Sequence, residues 1–196
     1  MASPYSTFKQ LAKSESEGKD YQVRIDLRDT PVLVMAPHGG KIEPMTAEIA
    51  EAIAGHDYSF YSFEGLKEDG NNILHIESHL FDEPRALQAV GKADIVITVH
   101  GQLNRKDAFV MIGGLHNGLC SEIRRQLEAT GFQIRPVGRG LEGIDSRNLC
   151  NRGRLKAGVQ LEVSRKVRDL VRADKSQLEA FAGAVRKALQ IYLAGC

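Results

Sequence analysis

Cysteine is scarce in this chain: Cys120, Cys150 and Cys196 are widely spaced and form no CxxC pair. A disulfide framework or a structural zinc ribbon is therefore not expected, and reduced thiols in a cytosolic setting are. No uninterrupted apolar stretch approaches the roughly 20 residues of a membrane helix. The segment Met1-Ala2-Ser3-Pro4-Tyr5-Ser6 lacks the basic start and apolar core of a signal peptide, so a cytoplasmic location is expected. Charge of either sign is not in excess: 26 Lys and Arg against 25 Asp and Glu leave a formal +1. No global field then steers the chain to nucleic acid or a membrane surface. With 196 residues it is long enough for one α/β domain and short for two, so residues 1–196 are read as a single domain.

What the chain does contain is an alternation of strand and helix patterns. Apolar runs at 32–36, 58–63, 72–76, 94–99, 108–112, 133–137 and 158–163 read as strands. Helices are expected over residues 8–15, 45–55, 85–91, 115–130 and 175–193, with Pro84 opening the third and Asp82 placed to cap it. This succession predicts a single-domain three-layer α/β/α sandwich around a mixed, mostly parallel sheet. Between Gly138 and Ala157 lie six Gly or Asn and four Arg without periodicity, a loop long enough to suggest function.

Three of the expected strands end in chemistry. Residues 32–36 lead into Pro37-His38-Gly39-Gly40-Lys41-Ile42-Glu43, where an imidazole and a carboxylate flank a glycine bend. Residues 95–99 end in His100-Gly101, and Glu162 interrupts the apolar run 159–163. A buried carboxylate is costly unless paired, protonated or beside a metal. Two His and one Glu, with a second Glu as base, make up a catalytic zinc site with an open position. Each part also has a plainer account: backbone hydrogen bonding for His38, a helix N-terminus for Glu43, and an ion pair with Arg165 or Arg168 for Glu162. His75 and His79, four apart but outside an HExxH pattern, fit a substrate pocket or structural role better than ligation. His116 fits a capping role. Arg139, Arg147, Arg152 and Arg154 cluster with Asn148 and Asn151 just before Glu162. Guanidinium forks there suit an anionic substrate, whereas nucleic acid fits less well because the loop has no aromatic residue.

Taken in order, Pro37-His38-Gly39-Gly40-x-Ile42-Glu43-Pro44, Tyr61-x-Phe63-Glu64-Gly65, Leu74-His75-Ile76, Phe81-Asp82-Glu83-Pro84, Val99-His100-Gly101 and Gly158-Val159-Gln160-Leu161-Glu162 form a set. That set resembles the poly-γ-glutamate hydrolase family of phages and bacteria, over about residues 32–168. The resemblance implies a zinc-carboxypeptidase-like fold and zinc held by His38, Glu43 and His100. It further implies that Glu162 is the catalytic carboxylate, passing a water proton to the departing amine of a γ-glutamyl amide. Asn151-Arg152 is similar to a carboxylate-binding pair of carboxypeptidases, though it follows the third ligand here instead of preceding it. Arg85, Arg147, Asn151, Arg152 and His75 are accordingly expected at the substrate. Glu77 stands where the family's pattern implies a small hydroxyl residue, which alters the polarity of the pocket. The expected partner is a γ-linked glutamyl polymer or peptide met by a monomer, after lysis if the chain is phage-encoded. Two alternatives stay open: a zinc amidase on peptidoglycan stem peptides or N-acyl amino acids, and a non-catalytic phage accessory protein binding nucleic acid or protein.

Overall fold

A period-two pattern of burial runs through the second strand and divides the core in two. In the computed structural model, which describes residues 3–195, Val32, Val34 and Ala36 join one apolar cluster while Leu33 and Met35 join another. Side chains alternate across a strand, so one that is apolar at every position must be covered on both faces.

The chain runs α1 (Phe8–Leu11), β1 (Tyr21–Asp26), β2 (Val32–Gly40), α2 (Thr46–Ala54), β3 (Ser59–Gly65), α3 (Pro84–Lys92), β4 (Ile95–Gln102), β5 (Val110–Gly113), α4 (Asn117–Ala129), β6 (Val159–Ser164), α5 (Arg165–Ala173) and α6 (Lys175–Ala194). Six strands form one sheet in the order β1-β3-β2-β4-β6-β5. The four central strands are parallel, and β1 and β5 close the two edges antiparallel. Residues of α2, α4, α5 and α6 pack in the first cluster, and those of α1 and α3 in the second. The three-layer α/β/α sandwich with a mixed sheet is thus the architecture observed.

Local differences from the expected elements have physical causes. Residues 72–76 form no strand. Gly70, at φ 75, starts a 3₁₀ turn over Asn71–Leu74, and Asn71 Nδ2 donates to the Lys67 carbonyl at 2.8 Å. Of residues 133–137 only Ile134 bridges to Val110, and Pro136 has no N–H to offer a ladder. The first helix stops at Leu11. β1 was not expected because it is an edge strand with polar residues between its apolar ones. α5 was hidden by its basic composition, only Val167, Arg168 and Val171 being buried. The long loop carries a second 3₁₀ turn at Leu149–Arg152. Cys120 and Cys150 are free thiols, and Cys196 lies outside the described residues. Among the described residues no helix is long and apolar enough to cross a membrane.

The cap of α3 belongs to Glu83 instead of Asp82. Its Oε2 accepts from the Ala86 amide at 2.8 Å and from the Tyr61 hydroxyl at 2.9 Å, and Arg85 Nε donates to Oε1 at 2.8 Å. Asp82 accepts instead from the Phe8 amide, tying α1 to the segment that leads into α3. Because Glu83 is buried, Glu83→Ala both uncaps α3 and strands the Tyr61 hydroxyl. A loss of about 2–4 kcal/mol is expected in denaturant titration, while Asp82→Ala should cost less.

Candidate metal centre and active site

The parallel strands β2, β4 and β6 are neighbours, so their carboxyl ends share one edge of the sheet. That edge is where open α/β sheets bind ligands. In the β4–β6 ladder His100 lies directly opposite Glu162. The register of β2 on β3 shifts between Ala36 and Gly39, an irregularity of the kind that re-aims a side chain, here at His38. Gly40 has φ +61, and a Cβ there would come within 2.6 Å of the Gly65 carbonyl, so only glycine passes. The chain turns back at once: the Glu43 amide donates to the His38 carbonyl at 2.9 Å, and Thr46 Oγ1 to the Glu43 carbonyl at 2.8 Å. Met45, at φ 77, completes the turn in a conformation that is strained for a non-glycine. Glu43 does not cap α2. Its Oε2 accepts from the Gly101 amide at 2.8 Å and its carboxylate faces the histidines.

Four side chains converge. Nδ1 of His38 is 3.5 Å from Glu43 Oε2 and 3.2 Å from Nδ1 of His100, which is itself 3.9 Å from the same oxygen. Nε2 of His75 is 3.3 Å from the other oxygen, Oε1, and its ring stacks on His38 at 3.8 Å. Zinc bonds of about 2.0–2.2 Å at tetrahedral angles hold ligand atoms roughly 3.3–3.5 Å apart. The spacings fit such an ion, and ligand atoms of His38, Glu43 and His75 lie within 4.8 Å of one another. The outer nitrogens are held as well. His38 Nε2 is 2.8 Å from the Ile76 carbonyl, and His100 Nε2 is 3.3 Å from Ser78 Oγ. Such outer hydrogen bonds fix the tautomer and ring angle of metal-binding histidines.

Charge is unevenly distributed here. Burial would raise the Glu43 carboxyl, but the imidazoles of His38, His75 and His100 outweigh it and hold Glu43 well below the usual range. Burial, together with the neighbouring His38, depresses His100 to about 3, so that ring is neutral, as ligation requires. His75 moves up because the hydrogen bond and charge of Glu43 outweigh its desolvation. Glu162 is raised to about 8, first by burial and then by Glu43. Gln160 Nε2 donates to its Oε1 at 3.1 Å.

These groups open into a cavity of about 530 Å³ whose wall includes Glu43, His75, Glu77, His100, Glu142 and Glu162. His79 and Asp145 also line it, but among the described residues no Lys or Arg does. The arginines expected at the substrate are engaged elsewhere. Arg85 pairs with Glu17 and Glu83 beside α3. Arg147 folds onto Asp145, and Arg152 donates to the Phe81 carbonyl at 2.8 Å. Asn151 is buried and organises its loop, donating to the Gly143 and Asp145 carbonyls and accepting from the Leu115 and Gly158 amides. Neither ion-pair partner suggested for Glu162 contacts it: Arg165 pairs with Asp169, and Arg168 donates to backbone carbonyls. His116 does cap α4, accepting from the Leu119 amide. Ser78 and Glu142 were not anticipated; both lie on loops whose path the sequence does not disclose, whereas Gln160 sits on β6 two residues before Glu162 and shares its face.

The family profile described as poly-gamma-glutamate hydrolase matches residues 5–183. The chain belongs to the poly-gamma-glutamate hydrolase family. Its relative YndL of Bacillus subtilis (strain 168) is 36% identical over 82% of this chain, which spans 63% of that protein's length. A bacteriophage poly-gamma-glutamate hydrolase superposes with a TM-score of 0.92 at 26% identity, covering 98% of this chain and 99% of its own. The zinc-free apo structure of YndL gives 0.90 at 32% identity, covering 96% and 98%. N-formylglutamate amidohydrolase from Ralstonia eutropha shares the fold alone, at 10% identity and a TM-score of 0.56, covering 90% of this chain and 99% of its own.

The raised carboxyl carries a consequence for stability. Folding shifts Glu162 from the ordinary 4.5 to about 8, so its contribution is complete below the unfolded value and lost as pH rises through the folded one. The depressed His100 acts in the opposite sense below about 6.5, and the raised His75 adds to the fall above it, so Glu162 and His75 share the range from there to about 8. In metal-free protein, denaturant titrations across that range should show stability falling, with Glu162 contributing up to about 1.4 kcal/mol per pH unit. Glu162→Gln should flatten the fall, and an unchanged slope in the variant would refute the raised carboxyl.

Proposed function

We propose that this chain is a zinc-dependent hydrolase of γ-glutamyl amide bonds, with poly-γ-glutamate as its substrate. The supporting observation is the triangle of His38 Nδ1, His100 Nδ1 and Glu43 Oε2, with sides of 3.2, 3.5 and 3.9 Å, beside a raised Glu162 carboxyl. These three are the proposed ligands. His75 faces the other oxygen of Glu43 and so turns the first toward the ion. When bound, zinc supplies acidification of a water and polarisation of the scissile carbonyl. Glu162 manages the proton, accepting it from the attacking water and returning it to the departing amine. Gln160 holds Oε1 of that carboxyl, leaving the proton to travel on Oε2. The charge of a bound cation favours the ionised form of Glu162, which the base role needs.

Purified protein is expected to hold one zinc per chain and to cleave poly-γ-glutamate until a chelator removes the metal. His100→Ala should lose zinc. Glu162→Gln should keep it while kcat falls by roughly 10²–10⁴, and an undiminished kcat would sink the proposed base. His75→Ala should retain zinc with affinity weakened by about 10–100-fold.

A second reading is favoured by the cavity wall itself. Asp145 is paired with Arg147, but Glu77 and Glu142 line the cavity with no Lys or Arg among the described residues of its wall, a surface that repels a polyanion at close range. The same centre would then act on a smaller γ-glutamyl or N-acyl amide with a neutral or amine-bearing leaving group. Comparing kcat/KM for γ-glutamyl-lysine and γ-glutamyl-glutamate decides between the two. Preference for the lysine compound, weakened in Glu77→Gln, supports this reading, and preference for the glutamate compound supports the polymer.

A further inference from the structure

One cation sits immediately behind the site and touches none of the cavity. Arg168, on α5, is 2% exposed, although arginine is almost never fully buried without a partner. Its donors go to three carbonyls: Nε to Val163 at 3.1 Å, Nη1 to Pro44 at 2.7 Å and Nη2 to Gln102 at 3.1 Å. Val163 follows Glu162, Pro44 follows Glu43, and Gln102 lies two residues beyond His100. All three site-bearing segments are therefore gripped by one guanidinium just past the residue each contributes. The fork is planar and rigid, so three acceptors at fixed angles set the relative position of the segments that carry them. The backbone makes room for this at Gly101, where a Cβ would lie 2.7 Å from Cζ of Arg168 and 2.9 Å from Cβ of Glu43.

We propose that Arg168 is a positioning residue of the metal centre, holding Glu43, His100 and Glu162 in mutual register through the backbone that follows each. This rests on the metal reading given above. A buried guanidinium needs acceptors and opposing charge. The acceptors are the three carbonyls; the carboxylates acting on it include Glu43, Glu162 and Asp169, against Arg165 as a like charge. No lysine can reproduce the geometry, since an ammonium is a point charge without a planar fork.

A merely structural arginine is available for comparison. Arg186 donates to the Ile53 and Ala54 carbonyls at 2.9 and 3.0 Å and pairs with Asp57, at the far end of α2. The experiment measures zinc affinity by chelator competition, and the visible absorption of cobalt-substituted protein, in wild type, Arg168→Lys, Arg168→Gln and Arg186→Lys. Circular dichroism establishes that each variant is folded. Arg168→Lys should bind zinc about 10–100-fold more weakly and shift the cobalt spectrum. Arg168→Gln should weaken it further, and Arg186→Lys should match wild type in both readouts. Should Arg168→Gln fail to fold, Arg168→Lys decides. Zinc affinity within about twofold of wild type and an unchanged cobalt spectrum in folded Arg168 variants would overturn the proposal. Wild type that binds no zinc would instead overturn the metal reading, and this proposal with it.

Discussion

Backbone hydrogen bonds between β4 and β6 set His100 opposite Glu162, and the neighbouring ladder from β2 to β4 brings His38 to the same edge. A slip of one residue in either ladder would send every side chain of the strand to the opposite face. The site is therefore only as well defined as the register of three parallel strands. That register is specified from both sides, because β2 and β4 contribute alternate residues to two separate apolar clusters. The core thus fixes the strands from which the site residues project.

Much of this was legible in the sequence, for identifiable reasons. Buried parallel strands are apolar throughout, so β2, β4 and β6 stood out, and so did the polar residues at their ends. His38, His100 and Glu162 could be named because each ends or breaks an apolar run, and Glu43 because it follows the glycine bend after His38. The arginines could not be placed that way. Arg147 and Arg152 lie in a loop without periodicity, and whether such a residue meets solvent, Asp145 or the Phe81 carbonyl depends on the folded path. Arg168 was suggested only as an ion-pair partner of Glu162; its three carbonyl acceptors lie on other segments of the fold and are not visible in the sequence. Local composition also misled over residues 72–76, where apolar character suggested a strand but Gly70 turned the chain.

Two electrostatic environments meet at the cavity. On one side the imidazoles of His38, His75 and His100 surround Glu43 and hold its carboxyl down; on the opposite side burial raises Glu162. Pairs of carboxyls pushed in opposite directions by their surroundings are how one site separates a permanent charge from a proton carrier. The outer wall adds Glu77 and Glu142 without a compensating cation.

The glycine at position 101 has a bearing on how such chains diverge. A side chain there would press on the guanidinium of Arg168 and on the stem of Glu43 together. Neither neighbour can retreat alone, because one is held by three carbonyls and the other by the Gly101 amide. Positions 43, 101 and 168 are therefore coupled sterically, and a methyl group at residue 101 has no room until Arg168 or Glu43 is replaced as well.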